Sequence, residues 1–80
     1  GSDNIQIYPN PASDVVHIQL AANETTVSRL SIYDIQGRLM MDKTFNSNTI
    51  QLNIKPLQNG IYQMVLNGNT TSTKTLVVLK

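Results

Sequence analysis

The side chains that could carry chemistry are few in this sequence and stand far apart along the chain. His17 is the single histidine, and it alternates with Val16 and Ile18 in a pattern typical of a half-buried strand. We expect it to face solvent or the rim of a sheet rather than to act as a ligand or general base. A metal site needs several histidines, cysteines or clustered carboxylates, and the chain has no cysteine. The sequence therefore predicts no metal and no cofactor.

Carboxylates and hydroxyls give no catalytic pattern either. Asp14, Asp34 and Asp42 could form a carboxylate pair, but Asp14 follows a turn and Asp34 stands where Asx turns are common. The serines lack a nucleophile elbow and a base, and the four glycines form no phosphate-binding loop. We predict no catalytic residue and no enzymatic activity.

Length and charge exclude several classes of partner. Eighty residues allow one domain, which must fold without a disulfide. Six basic and five acidic residues give a formal charge of +1. A nucleic-acid surface normally gathers basic residues with aromatics between them, whereas the basic residues of this chain are scattered. No apolar run approaches the roughly 20 residues of a membrane span. We therefore expect neither nucleic-acid binding nor membrane insertion.

Alternation of apolar and polar residues predicts an all-β fold. Asn, Thr and Ser are abundant, whereas Ala and Glu are rare. Seven segments have strand patterns, and their spacing of roughly 8 to 12 residues is typical of a sandwich or barrel: residues 5–8, 15–20, 26–34, 38–45, 49–54, 61–67 and 70–79. In the fourth segment, Leu39, Met41 and Phe45 are expected on one face and Met40 on the other.

The connections between these segments have recognisable turn chemistry. Residues 34–37 are predicted to form a hairpin turn, and Gly68 with Asn69 a second one. Leu57 is expected to pack under its loop and close one end of the core. Gly60, which precedes a strand, is expected to need a positive φ.

Four ordered motifs resemble those of the type A C-terminal sorting domain of the type IX (Por) secretion system. They are Tyr8-Pro9-Asn10-Pro11, Gly37-Arg38-Leu39-Met40, Leu57-Gln58-Asn59-Gly60-Ile61-Tyr62 and Lys74-Thr75-Leu76-Val77-Val78-Leu79-Lys80. The resemblance covers roughly residues 5–80. It departs from the family pattern at Thr75, where a second lysine is common, and at Met40, where a small β-branched residue is usual.

The resemblance implies an immunoglobulin-like, seven-stranded antiparallel β-sandwich that acts as an address on cargo of Bacteroidetes. Such a domain passes through the periplasm and is recognised by the outer-membrane translocon. A sortase-like cysteine peptidase commonly removes it, leaving the cargo at the cell surface or outside the cell. Gly1-Ser2 is interpreted as a cloning scar, and residues 3–80 as the single sorting domain of a larger secreted protein with its cargo on the N-terminal side.

The same resemblance assigns recognition to residues of the four motifs. These are Tyr8, Pro9, Asn10, Pro11, Gly37, Arg38, Leu57, Gly60, Tyr62, Lys74, Leu76, Val77, Val78 and Lys80. For Gly37 and Gly60 a backbone requirement is the favoured reason. A terminal strand with an exposed edge also admits a homodimer by strand exchange.

Two other functions fit an all-β domain of this size. One is a small adhesin-like or carbohydrate-binding sandwich, in which Tyr8, Tyr33 and Tyr62 would line a groove. The other is an inert spacer between domains. A sorting signal is expected to end its polypeptide, whereas a binding module or spacer can lie anywhere.

Overall fold

The computed structural model describes residues 5–20, 28–68 and 71–80, and within them the protein is all-β, as predicted. No helix lies in these residues, so none could cross a membrane. The strands are β1 (Gln6–Tyr8), β2 (Val15–Gln19), β3 (Ser28–Tyr33), β4 (Leu39–Phe45), β5 (Thr49–Asn53), β6 (Gly60–Asn67) and β7 (Thr71–Val78). The strand starts predicted at residues 26 and 70, the turn residue Asn69 and the interpreted scar at residues 1 and 2 lie outside the described residues.

The strands form two antiparallel sheets. The three-stranded sheet has the order β1-β2-β5, and the four-stranded sheet has the order β4-β3-β6-β7. Alternate side chains of both sheets turn inward and join one hydrophobic cluster, because the pleat sends residues i and i+2 to the same face. The alternation predicted for these segments is confirmed, because Val16 and Ile18 of β2 and Ile50 and Leu52 of β5 are all at most 5% exposed. The cluster therefore joins the two sheets.

Strand β4 departs from the predicted alternation. Ile32 pairs with Met41 but Tyr33 pairs with Leu39, so the register shifts by one residue at a bulge. Met41 and Phe45 pack against the core, whereas Leu39 is 51% exposed. The expectation that Leu39 shares their inward face is therefore wrong, because a bulge residue reverses the alternation beyond it.

The turn between β3 and β4 is the predicted hairpin. The Gly37 N–H donates to the Asp34 carbonyl at 3.0 Å, and the Asp34 N–H donates to the Arg38 carbonyl at 3.0 Å. Asp34 Oδ1 accepts the Gln36 N–H at 2.9 Å, which confirms an Asx turn. Gly37 has a φ of 84°, a conformation that side chains with a Cβ avoid.

The loop between β5 and β6 is held to the core by a buried leucine. Leu57 is 2% exposed, which confirms that it closes the core beneath the loop. Its N–H donates to the Ile54 carbonyl at 2.9 Å. Gly60 has the expected positive φ, at 159°, close to ordinary extended backbone.

Candidate functional site

The first motif covers the outer edge of the last strand. The Asn10 side-chain amide donates from Nδ2 to the Thr75 carbonyl at 3.0 Å, and its Oδ1 accepts the Val77 N–H at 3.0 Å. The chain then continues with backbone bonds from the Ala12 N–H to the Val77 carbonyl and from the Leu79 N–H to the Ala12 carbonyl, both 2.8 Å. We call residues 10–12 the edge strap.

The sequence of the edge strap explains this use of a side chain. Pro9 and Pro11 have no N–H group, so the backbone around Asn10 can offer little to a strand ladder. The carboxamide of Asn10 supplies one donor and one acceptor, which are the groups that a peptide unit would supply. Ala12 is 1% exposed and pairs in parallel with Val78, so the strap also contributes to the core.

The third and fourth motifs are joined at Lys80. The Lys80 N–H donates to Asn59 Oδ1 at 2.9 Å, and its Nζ donates to the Lys55 carbonyl at 2.8 Å and to the Leu57 carbonyl. Tyr62 reaches the same loop from the core, where its hydroxyl donates to the Gln58 carbonyl at 2.7 Å. The end of the chain and the loop before β6 therefore form one hydrogen-bonded unit.

The second motif faces the third across a groove of about 410 Å³. The Asp34–Arg38 turn and Met40 form one wall, and residues 56–62 form the other. Arg38 Nε donates to Asp34 Oδ2 at 2.7 Å, which fixes the start of the guanidinium at the groove. Hydrogen bonds thus link three of the motifs, from the strap to β7 and from Lys80 to the loop, and the turn of the second motif lies opposite that loop across the groove.

Comparison with known proteins identifies the family to which this chain belongs. The profile of a family described as "Secretion system C-terminal sorting domain" matches residues 6–80. The chain belongs to this family. It is a type IX C-terminal sorting signal, which directs cargo joined on its N-terminal side to the cell surface or the extracellular space.

A curated relative shows how small a part of a protein such a domain can be. An endo-acting ulvan lyase from Formosa agariphila is 35% identical over 81 residues. The match covers 96% of the sorting domain but 15% of the lyase. The relative's named activity therefore applies to a protein of which this chain matches a small portion.

The structure divides the predicted recognition residues of the sorting domain by exposure. Leu57, Tyr62, Leu76 and Val78 are buried in the core, at most 6% exposed. Lys74 and Val77 are half-buried; Pro9, Asn10, Pro11, Gly37, Arg38, Gly60 and Lys80 are exposed. The buried group contributes side chains to folding, and the exposed group lies within reach of a partner.

Tyr8 lies apart from the groove. It is 47% exposed on the outward face of the three-stranded sheet, where its ring stacks on His17 with centroids 5.4 Å apart. Tyr62 is 6% exposed and faces the core, and Tyr33 belongs to the other sheet from Tyr8. The three tyrosines of the carbohydrate-binding alternative therefore do not line a common groove.

The carboxylates are held separately, each by its own arginine. The backbone N–H of Arg38 is the main cause of a lowered Asp34 pKa, with the Arg38 side chain adding to it. The Arg29 side chain lowers the pKa of Asp42 by hydrogen bonding, and Asp42 in turn raises the pKa of Arg29. Asp34 and Asp42 thus hold turn and strand in place. In the part of the chain that the structure describes, no three metal-ligating side chains come together.

Sequence reasoning missed two residues that assemble the site. Asn59 accepts the Lys80 N–H, and Ala12 carries the backbone pairing of the edge strap. Both partners are distant in sequence, so no local pattern indicates them. For the edge strap as a whole, one signal was available in the sequence. Asn10 stands between two prolines, and its side chain can replace the backbone groups that these prolines lack.

Proposed function

We propose that the end of the sorting domain where the four motifs meet is the surface that the type IX translocon recognises. The observation that carries this proposal is the continuous set of hydrogen bonds from the edge strap through β7 and Lys80 to the loop that lines the groove. A partner that binds there contacts residues from both ends of the domain. It therefore distinguishes a folded domain from an unfolded one.

The transport steps follow from this role. The domain crosses the periplasm with its cargo, meets the translocon, and is removed by a sortase-like cysteine peptidase that leaves the cargo at the surface. In this scheme the domain is a substrate and has no catalytic role. In this scheme residues 3–80 are the single sorting domain of a larger secreted protein.

The fold suits an address that must look the same on unrelated cargo. In immunoglobulin-like sandwiches, strands A, B and E share one sheet and strands C, F and G the other. The division into β1, β2, β5 and β3, β6, β7 supports that topology, with β4 as an added edge strand. A homodimer by strand exchange at β7 requires displacement of the edge strap first, because the strap occupies that edge.

Export of a reporter tests the proposal. Residues 3–80 are fused to the C-terminus of a periplasmic reporter in a host with a type IX system, and reporter is measured at the surface and in the medium. Deletion of residues 74–80 removes most of β7 and its basic and apolar end, and it is expected to reduce export at least tenfold. Undiminished export after this deletion would overturn the sorting surface.

A destabilised variant separates recognition from loss of folding. Leu20 is 6% exposed and lies outside all four motifs, so Leu20→Ala weakens the core without changing the motif surface. We expect this variant to export reporter while the deletion does not. Thr73→Ala, an exposed change on β7 outside the motif, serves as the unperturbed control. Equal loss from Leu20→Ala and the deletion would contradict a role for the motif surface itself.

A further inference from the structure

Exposed apolar side chains are concentrated at the groove between the second and third motifs. Six large apolar or aromatic side chains are exposed in the described residues, and three of them, Ile35, Met40 and Ile61, line the groove. Their exposed fractions are 82%, 43% and 53%. Apolar groups gathered around one concave surface mark an interaction site, whereas scattered ones need no explanation.

The fold of this domain does not need these three side chains. None belongs to the core cluster or to the partly buried residues packed against it. Ile35 lies in the hairpin turn, where polar residues are usual. Met40 is turned out by the bulge of β4, and Ile61 alternates with the buried Tyr62. The three side chains are therefore available to a partner without any change in the core.

Arg38 adds one defined polar feature. Asp34 is largely enclosed, with 12% of its side chain exposed, and its carboxylate accepts the Gln36 N–H, the Arg38 N–H and the Arg38 Nε. Seventy per cent of the Arg38 side chain is exposed. Its two terminal nitrogens take part in no hydrogen bond with the described residues, and among those residues Arg38 is the only cation that lines the groove. They can form a bidentate pair with one incoming carboxylate.

We propose that this groove binds a short segment of a partner protein, in which an acidic residue stands between two apolar residues. The carboxylate pairs with the terminal nitrogens of Arg38, and the flanking side chains pack on Ile35 with Met40 and on Ile61. The groove volume of about 410 Å³ lies in the range of ligand pockets and suits a few residues rather than a folded surface. Assignment of the partner to the sorting machinery rests on the proposed function above, but the binding chemistry does not.

A peptide titration of the isolated chain tests the chemistry directly. The probe is acetyl-Leu-Asp-Leu-amide, followed by amide chemical shifts, with the isosteric acetyl-Leu-Asn-Leu-amide as the neutral comparison. We expect shifts centred on residues 35–40 and 58–62, with binding of the Asp peptide at least fivefold tighter than that of the Asn peptide. Arg38→Gln should remove this difference, whereas Lys43→Gln on β4 should leave it unchanged.

Several results would overturn the proposal. These are shifts absent from the groove up to about 10 mM peptide, equal binding of the Asp and Asn peptides, or an Asp preference that survives Arg38→Gln. Equal shifts from inorganic phosphate would show a general anion site instead. Shifts that grow with protein concentration in the absence of peptide would identify a second copy of the chain as the occupant.

Reporter export then separates this inference from the proposed function. The double variant Ile35→Ser with Ile61→Ser removes apolar groups from the groove, and Thr73→Ala, an exposed change on β7 outside the four motifs, serves as the control. We expect at least a tenfold loss of export for the double variant and at most twofold for Thr73→Ala. If the 74–80 deletion blocks export and the double variant does not, the groove inference fails alone. If neither blocks export, the proposed function fails.

Discussion

The two edges of the four-stranded sheet are protected in different ways. At β7, the edge strap forms hydrogen bonds with the backbone groups of Thr75, Val77 and Leu79. The two bonds of Asn10 join residues that lie 65 and 67 positions apart in the sequence. At β4, no segment of the described residues covers the edge. A bulge at Met40 distorts it, and Lys43, which pairs with Leu30, places an exposed charge on this strand. Bulges and charged side chains on an edge strand discourage edge pairing.

The difference shows that part of the first sequence motif acts as a folding device. Protection of β4 is local and needs only its own strand and its neighbour. Protection of β7 requires the first motif to be present and folded against the last. The two ends of the sorting domain are thus joined within the fold, and we expect the β7 edge to be the more sensitive of the two to single substitutions.

The largest expected effect is the loss of a core side chain from β7. Leu76 is fully buried, so Leu76→Ala should lower the free energy of unfolding by about 2 to 5 kcal/mol through lost burial and a cavity. Met41→Ala, a half-buried change on β4, should cost less than half as much. Urea denaturation of both variants measures the comparison. Equal losses would show that the two edge strands contribute alike to the core.

The next largest effect concerns the edge strap. Asn10→Ala removes two hydrogen bonds to β7 and should destabilise by about 1 to 2 kcal/mol. The Val77 amide should exchange its hydrogen faster, because the Asn10 oxygen no longer accepts it. Asn46→Ala, an exposed change beside β4, should stay within about 0.5 kcal/mol of the parent. Unchanged protection of Val77 would mean that the strap does not hold the edge.

These residues also show what sequence could and could not predict. Burial of Val16, Ile18, Ile50 and Leu52 follows from a period of two, which is local information. The position of Leu39 depends on a bulge that no residue type announces, so it was predicted wrongly. The bonds of Asn10 and Lys80 and the opposition of turn and loop across the groove depend on tertiary placement, so they emerged only from the structure.

A smaller effect is expected at the end of β7. Lys80→Met keeps the aliphatic stem but removes the Nζ bonds to the Lys55 and Leu57 carbonyls. We expect a loss of about 1 kcal/mol, because the group is exposed and water replaces part of what is lost. Thermal unfolding of Lys80→Met is compared with that of Lys55→Met. Lys55 takes part in this contact through its backbone carbonyl, which the substitution keeps. Similar midpoints for both variants would contradict a specific role for the Lys80 ammonium.

At β4 the expected change is in association and not in stability. Lys43→Val removes an exposed charge from the edge strand β4 and should alter the unfolding free energy by no more than about 0.5 kcal/mol. The variant should nevertheless associate at high concentration, because an apolar, unpaired edge can add a second strand. Light scattering against concentration measures it, with the parent and Thr73→Val as monomeric controls. A Lys43→Val chain that stays monomeric would show that the bulge alone protects β4.

The smallest expected effect is the response to acid, which should weaken the β4 side of the sheet and leave the edge strap intact. Asp34 and Asp42 hold the turn and β4, and their hydrogen bonds lower both pKa values below 3.8 in the folded protein. The unfolded chain therefore binds protons first as the pH falls, so stability from these groups is present above pH 3.8 and is lost as the pH drops through the folded pKa values. The strap bonds join amides to backbone groups and carry no titrating charge.

Carboxyl carbon shifts should show both midpoints below 3.8, and Asp34→Asn with Asp42→Asn should flatten the fall in unfolding free energy between pH 4 and 2. The Val77 amide should keep its protection relative to the amides of β4 over the same range. Midpoints at or above 3.8, or earlier acid opening at Val77 than at β4, would reverse the comparison between the two edges.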